Sequence, residues 1–100
     1  MSEHQQSRTE RLALFTSPGC ALCRKVAPAA DGLAATGVAV RRFDEVEDAD
    51  AWALADVPGS PFAVVVGADG TVLAKGTFNS GGQLESIVAT ALRRRDGIHA

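Results

Sequence analysis

The chain has 100 residues and a formal net charge of −2, with 46% hydrophobic and 22% charged residues. That length fits one compact domain, the composition excludes an intrinsically disordered chain, and the charge gives no electrostatic reason to bind nucleic acid. Its two cysteines, Cys20 and Cys23, are too few to staple a small secreted fold and too close together to restrain the unfolded chain, so they point to chemistry.

No segment approaches the roughly 18–20 consecutive apolar residues of a membrane span. Residues 1–10 are polar, lack an apolar signal core and read as a lead outside the domain. As written, the sequence suits the cytoplasm; an extracytoplasmic site would require a leader or anchor that has been removed. Leu12 to Thr16 is a short apolar run ending at Ser17-Pro18-Gly19, the pattern of a buried strand and a turn. From Cys20, apolar residues recur at helical spacing (Leu22, Val26, Ala29, Ala30, Leu33). Pro28 is expected to kink this helix and Gly37 to cap it.

Val38 to Phe43 reads as a second strand. Asp44 to Asp56 holds six of the twelve acidic residues and reads as a solvated segment, with a short helix capped by Asp48 and running through Ala55. Phe62 to Val66 and Thr71 to Lys75 flank Ala68-Asp69-Gly70 as a β-hairpin. Ser80 and Gln83 match a capping box, and Leu84, Ile87, Val88, Ala91 and Leu92 fill one face of the last helix. Arg93, Arg94 and Arg95 complement its negative end, which needs no nucleic-acid role to explain them. Gly97 is expected to stop the helix and leave 97–100 as a tail.

The predicted order is β-α-β-α-β-β-α, an α/β domain over residues 11–96. The first two strands, joined through a helix, are expected to run parallel with a right-handed crossover. With the hairpin antiparallel, the result is a four-stranded mixed sheet with helices on both faces.

Cys20-Ala21-Leu22-Cys23 stands where a strand ends and a helix begins. Cysteine reacts as thiolate, and the unpaired N–H groups and dipole of a helix N-terminus favour that anion. Cys20 at the mouth then suits attack on a partner disulfide, and Cys23, one turn inward, suits resolution of the mixed disulfide. Three alternatives stay open: two inert buried cysteines, a zinc site, and an intersubunit metal or iron–sulfur site. Zinc would need further ligands, and the only histidines, His4 and His99, lie near the ends of the chain.

Taken together, these features resemble the thioredoxin-like proteins over about residues 12–95. The resemblance rests on Ser17-Pro18-Gly19-Cys20-Ala21-Leu22-Cys23 after a strand, and on Pro28 five residues past the second cysteine. It rests also on Val57-Pro58-Gly59-Ser60-Pro61 before an apolar strand, the Asp69-Gly70 hairpin and the terminal helix. The Val-x-Gly-x-Pro spacing and the Ala-Asp-Gly turn look like the branch that assists cytochrome maturation. Pro61-Phe62-Ala63-Val64, Ala74-Lys75-Gly76 and Asn79 look like the methylamine-utilisation accessory proteins.

The resemblance implies a minimal thioredoxin-like fold without the family's first strand and helix. It implies a thiol–disulfide oxidoreductase or electron-transfer domain with Cys20 and Cys23 as the catalytic pair and Gly19, Ala21, Leu22 and Pro28 shaping the site. Ser60 and a cis Pro61 would hold the partner backbone, with Pro58 as the rival proline. The implied partners are a protein dithiol or disulfide and an upstream reductant or oxidant. No cofactor beyond the Cys20–Cys23 disulfide and no metal are implied, and a monomer is expected.

The sequence departs from the pattern in further places, one being Ala21-Leu22, which is neither the Gly-Pro nor the Pro-His of strong reductants and oxidants. Gly19 stands where thioredoxins carry tryptophan, and Leu14 replaces the buried acid that accepts the resolving thiol's proton. Arg24 and Lys25 are candidates to favour the thiolate, or simply solvated helix residues. The departures keep alive a second expectation, a non-catalytic binding or delivery module with a slow or vestigial couple.

Overall fold

The computed structural model describes residues 10–99. The elements are β1 (Arg11–Thr16), α1 (Ala21–Ala35), β2 (Ala39–Asp44), α2 (Ala49–Ala55), β3 (Phe62–Val66), β4 (Val72–Thr77) and α3 (Gly81–His99), in the order expected. They form a four-stranded sheet with strand order β2-β1-β3-β4. β1 and β2 are parallel, with Leu14 opposite Arg42 and Thr16 opposite Asp44. The other two pairings are antiparallel.

Side-chain alternation along the strands divides the core. Leu12 and Leu14 face one way, with Ala63 and Val65, and pack on Val26 and Ala30 of α1 and Leu84, Val88 and Ala91 of α3. Phe15 faces the other way with Phe62 and Val64, covered by Trp52 and Ala55 of α2 and by Phe43. The central strand β3 is therefore apolar without alternation, because both its faces are covered. On the α2 side the Phe15 ring stacks on Phe43 at 5.2 Å and meets Trp52 edge-on at 5.9 Å. The indole Nε1–H of Trp52 donates to the Phe43 carbonyl at 3.1 Å, so the polar edge of the indole is satisfied.

The turn chemistry explains the boundaries. α1 ends in a Schellman pattern: Gly37 N–H donates to the Ala34 carbonyl, Val38 N–H donates to the Leu33 carbonyl, and Gly37 takes φ +105°. At α3, Ser80 Oγ accepts the Gln83 N–H at 3.1 Å, and Gln83 Oε1 accepts the Asn79 N–H, one residue before the position a capping box would use.

Three expectations are corrected. Asp48 precedes α2, but its carboxylate makes no cap bond; it accepts the Asp44 N–H at 2.8 Å instead. The Asp44 carboxylate in turn accepts the Val46 and Glu47 N–H groups, so this acidic stretch builds its own loop. α3 does not stop at Gly97 but runs on to His99, leaving only Ala100 of the expected tail, which lies outside the described residues. Gly97 is absent from the positive-φ positions, and an interior helical glycine costs only about 0.5–1 kcal/mol.

The third correction concerns the expected lead. Residues 1–9 lie outside the described residues, but Glu10 is buried and its Oε1 accepts from Arg95 Nη1 at 2.9 Å. Among the described residues, no helix is long and apolar enough to cross a membrane.

Candidate active site

The site begins with the turn that carries the chain from β1 into α1. Cys20 N–H donates to the Ser17 carbonyl at 3.2 Å, and Gly19 takes φ +73°. Proline second and a left-handed glycine third are what a type II turn requires, so Ser17-Pro18-Gly19 fixes the direction of Cys20. A side chain at Gly19 would meet no neighbouring atom, so the constraint there is the backbone conformation rather than space.

Cys20 is the N-cap of α1, with φ −77° and ψ 100°. Its sulfur does what a serine or aspartate oxygen does at other helix starts: Cys20 Sγ accepts the N–H of Cys23 at 3.0 Å. Cys20 and Cys23 are joined in a disulfide, with Cα atoms 5.2 Å apart. Both cysteines are half-buried, Ala21 between them is exposed and Leu22 is half-buried. Neither cysteine is fully buried, which counts against the alternative of two inert buried cysteines.

The disulfide opens into a shallow depression of about 210 Å³. Thr16 and Ser17 at the end of β1, Arg24 and Ala27 of α1, and Arg42 of β2 complete its walls. Ser60 reaches the same region from the loop before β3: its hydroxyl and that of Ser17 are hydrogen-bonded at 2.6 Å. The Ser60–Pro61 peptide bond is cis, and Pro61 is buried. Pro28 lies exposed within α1, outside the depression. Leu14 is 4% exposed and packs among apolar residues of β1, β3, α1 and α3.

Of the residues expected at the site, Gly19, Cys20 and Cys23 come together, and Ser60 is tied to them through Ser17. Sequence reasoning gave no site role to Ser17 or Arg42. Arg42 could have been found from topology: it lies near the carboxyl end of the strand parallel to β1, where open α/β sheets place their ligand sites. Among the described residues no group of three or more His, Cys, Asp or Glu could hold a metal ion; His4 lies outside them.

No protein-family model and no curated protein matches the sequence. Solved structures do match. The X-ray structure of Fasciola hepatica thioredoxin aligns with a TM-score of 0.74 at 22% identity, over 89% of this chain and 88% of that one. Mitochondrial thioredoxin 3 from Saccharomyces cerevisiae, in its oxidized form, gives 0.69 at 22% identity over 85% and 84%. A DsbH oxidoreductase structure gives 0.67 at 16% identity over 90% and 77%. At these identities the likeness is one of fold: the chain has a minimal thioredoxin-like fold.

Proposed function

We propose that this chain is a thiol–disulfide oxidoreductase working by dithiol–disulfide exchange with a protein partner. The observation that carries the reading is the Cys20–Cys23 disulfide at the start of α1, with Cys20 Sγ already accepting a helix N–H. A sulfur so placed is stabilised as thiolate once the pair is reduced.

From the reduced pair, the Cys20 thiolate attacks one sulfur of a partner disulfide. A Cys20–partner S–S bond forms and the partner's other sulfur leaves as a thiolate, which takes a proton from water. Cys23 loses its proton to water and attacks Cys20 Sγ, which expels the second partner sulfur and closes the Cys20–Cys23 disulfide. Two electrons pass to the partner, and an upstream dithiol restores the pair; read backwards, the same steps oxidise a partner dithiol. In this reading Ser60 and Pro61 receive the partner's extended backbone and Ser17 holds Ser60 in place. No bound cofactor takes part.

The test is catalysed reduction of a protein disulfide such as insulin, with mass measurement after alkylation. The wild type is expected to cycle between two and zero alkylated thiols, Cys20→Ser to lose turnover, and Cys23→Ser to accumulate a mixed disulfide through Cys20. Undiminished turnover in the Cys20→Ser, Cys23→Ser double variant would overturn the proposal.

One observation favours a second reading. Leu14, at the position where the resembled pattern carries a buried acid, is buried among apolar residues, so a binding module with a slow couple fits as well. Partner capture that survives removal of both sulfurs, together with negligible turnover of the wild type, would select that reading.

A further inference from the structure

The walls of the groove at the disulfide differ in sign from the molecule as a whole. The chain is net negative, yet among the described residues the charged ones lining this depression are Arg24 and Arg42, with no acidic residue beside them in its walls. The two come from different elements, α1 and β2. Arg24 makes no ion pair among the described residues. Arg42 pairs with Asp31 at 3.4 Å, with side chains 53% and 78% exposed, a contact a ligand carboxylate can displace. Beyond the end of β2 the sign reverses: Glu45, Glu47 and Asp50 are not buried on the loop and helix that follow.

We propose that the groove is an anion subsite, and that the thiol or disulfide partner of Cys20–Cys23 carries a single carboxylate beside its reacting sulfur. This rests on the oxidoreductase reading. The carboxylate lies between Arg24 and Arg42 while the partner sulfur meets Cys20, and the exchange follows the balanced steps given above. A uniformly acidic partner is disfavoured, because its further charges would face the Glu45 and Glu47 side. The chemistry is shared by a small carboxylate disulfide and by a peptide with one acid next to its cysteine.

The experiment compares exchange rates of the reduced full-length chain at low ionic strength. The small-molecule arm uses dithiodiglycolate against uncharged hydroxyethyl disulfide; the peptide arm uses two cystine-linked peptides identical except for Glu or Gln beside the cysteine. Each rate is divided by the rate of the same disulfide with free dithiothreitol, which removes intrinsic reactivity. A preference for the carboxylate form of about fivefold is expected, falling towards one as salt shortens the reach of charge. A preference in the small-molecule arm alone assigns the site to small disulfides; in the peptide arm alone, to protein partners.

Arg24→Gln with Arg42→Gln is expected to abolish the preference, and Arg42→Lys to keep most of it. Arg93→Gln, at the far end of α3, is the charge control. Circular dichroism and thermal melting confirm that each variant is folded. Equal rates for both members of each pair, with exchange itself intact, overturn the subsite and leave the oxidoreductase reading standing. No exchange with any substrate overturns both.

Discussion

At the residue scale, Leu14 is where this chain departs furthest in chemistry from the pattern it resembles. It is 4% exposed and belongs to the larger core cluster, where a carboxylate would find no charged partner. Leu14→Asp is therefore expected to lose about 3–5 kcal/mol, combining the lost packing of a large-to-small change with the burial of a polar group. Burial penalises the charged form, so the new carboxyl should titrate above its ordinary range. The sign follows from linkage. With the folded pKa above the unfolded one, the unfolded state gives up the proton first, so stability falls as pH rises from 5 to 8. The fall is about 1.4 kcal/mol for each pH unit by which the folded pKa exceeds the unfolded one. Leu14→Asn, close in size and without charge, should show no such slope. Urea unfolding of both variants at the two pH values checks this; equal slopes would mean that the site beneath α1 admits enough water to solvate an acid. If Cys23 deprotonation limits turnover, the aspartate variant should also resolve mixed disulfides faster than the asparagine variant despite its lower stability.

At the element scale, the start of α3 holds two adjacent glycines with opposite demands. A Cβ built on Gly81 would lie 2.9 Å from Ala29 Cβ, closer than real Cβ atoms come, whereas at Gly82 the nearest atom is Ser80 Oγ at 3.9 Å. Gly81→Ala is expected to cost about 1–3 kcal/mol because α1 and α3 must move apart. Gly82→Ala should be neutral or stabilise by up to about 1 kcal/mol, since it lowers the entropy of the unfolded chain at no steric cost. Thermal melting of the two single variants separates them, and similar shifts in both would show that the helix contact yields. The contrast also marks what the sequence discloses about elements. The period of Leu84, Val88 and Ala91, the Ser80 cap and the unbroken run Phe62–Val66 all point to one answer, so α3 and β3 are legible. The contact of Gly81 with Ala29 is tertiary, and no local pattern carries it. Around α2 several acids compete for the same N–H groups, and the winner, Asp48 bonding Asp44, is settled by how the chain turns rather than by residue type.

At the scale of the whole molecule, the parts of the site that were hard to read join distant segments. The cysteine spacing and the Ser17-Pro18-Gly19 turn are local and therefore visible. Arg42 reaches the depression at the disulfide only through the parallel pairing of β2 with β1, and Ser17 gains its role from Ser60, a residue the resemblance already implied, across 43 residues. A longer link joins Glu10 with Arg95, 85 residues apart, and ties the beginning of β1 to the last turns of α3. The pKa of the Arg95 guanidinium is raised above its ordinary value, first by its hydrogen bond to Asp96 and then by the one to Glu10. The arginine's share of stability is thus lost only above the ordinary guanidinium range, so salt and mutation are the practical tests of its side of the link. Glu10→Ala is expected to cost about 1–3 kcal/mol, because it removes a charge-assisted bond whose acceptor side chain is 7% exposed. In a double-mutant cycle with Arg95→Ala, the coupling should be about 1 kcal/mol and survive ~0.5 M salt. The same cycle on Arg42 and Asp31, both exposed, should give a coupling near zero. Because Glu10 lies at the opposite end of β1 from the cysteine turn, its loss should lower the urea midpoint and leave the alkylation rate of Cys20 unchanged. A slower or faster thiol in Glu10→Ala would mean that β1 transmits strain along its length to Ser17.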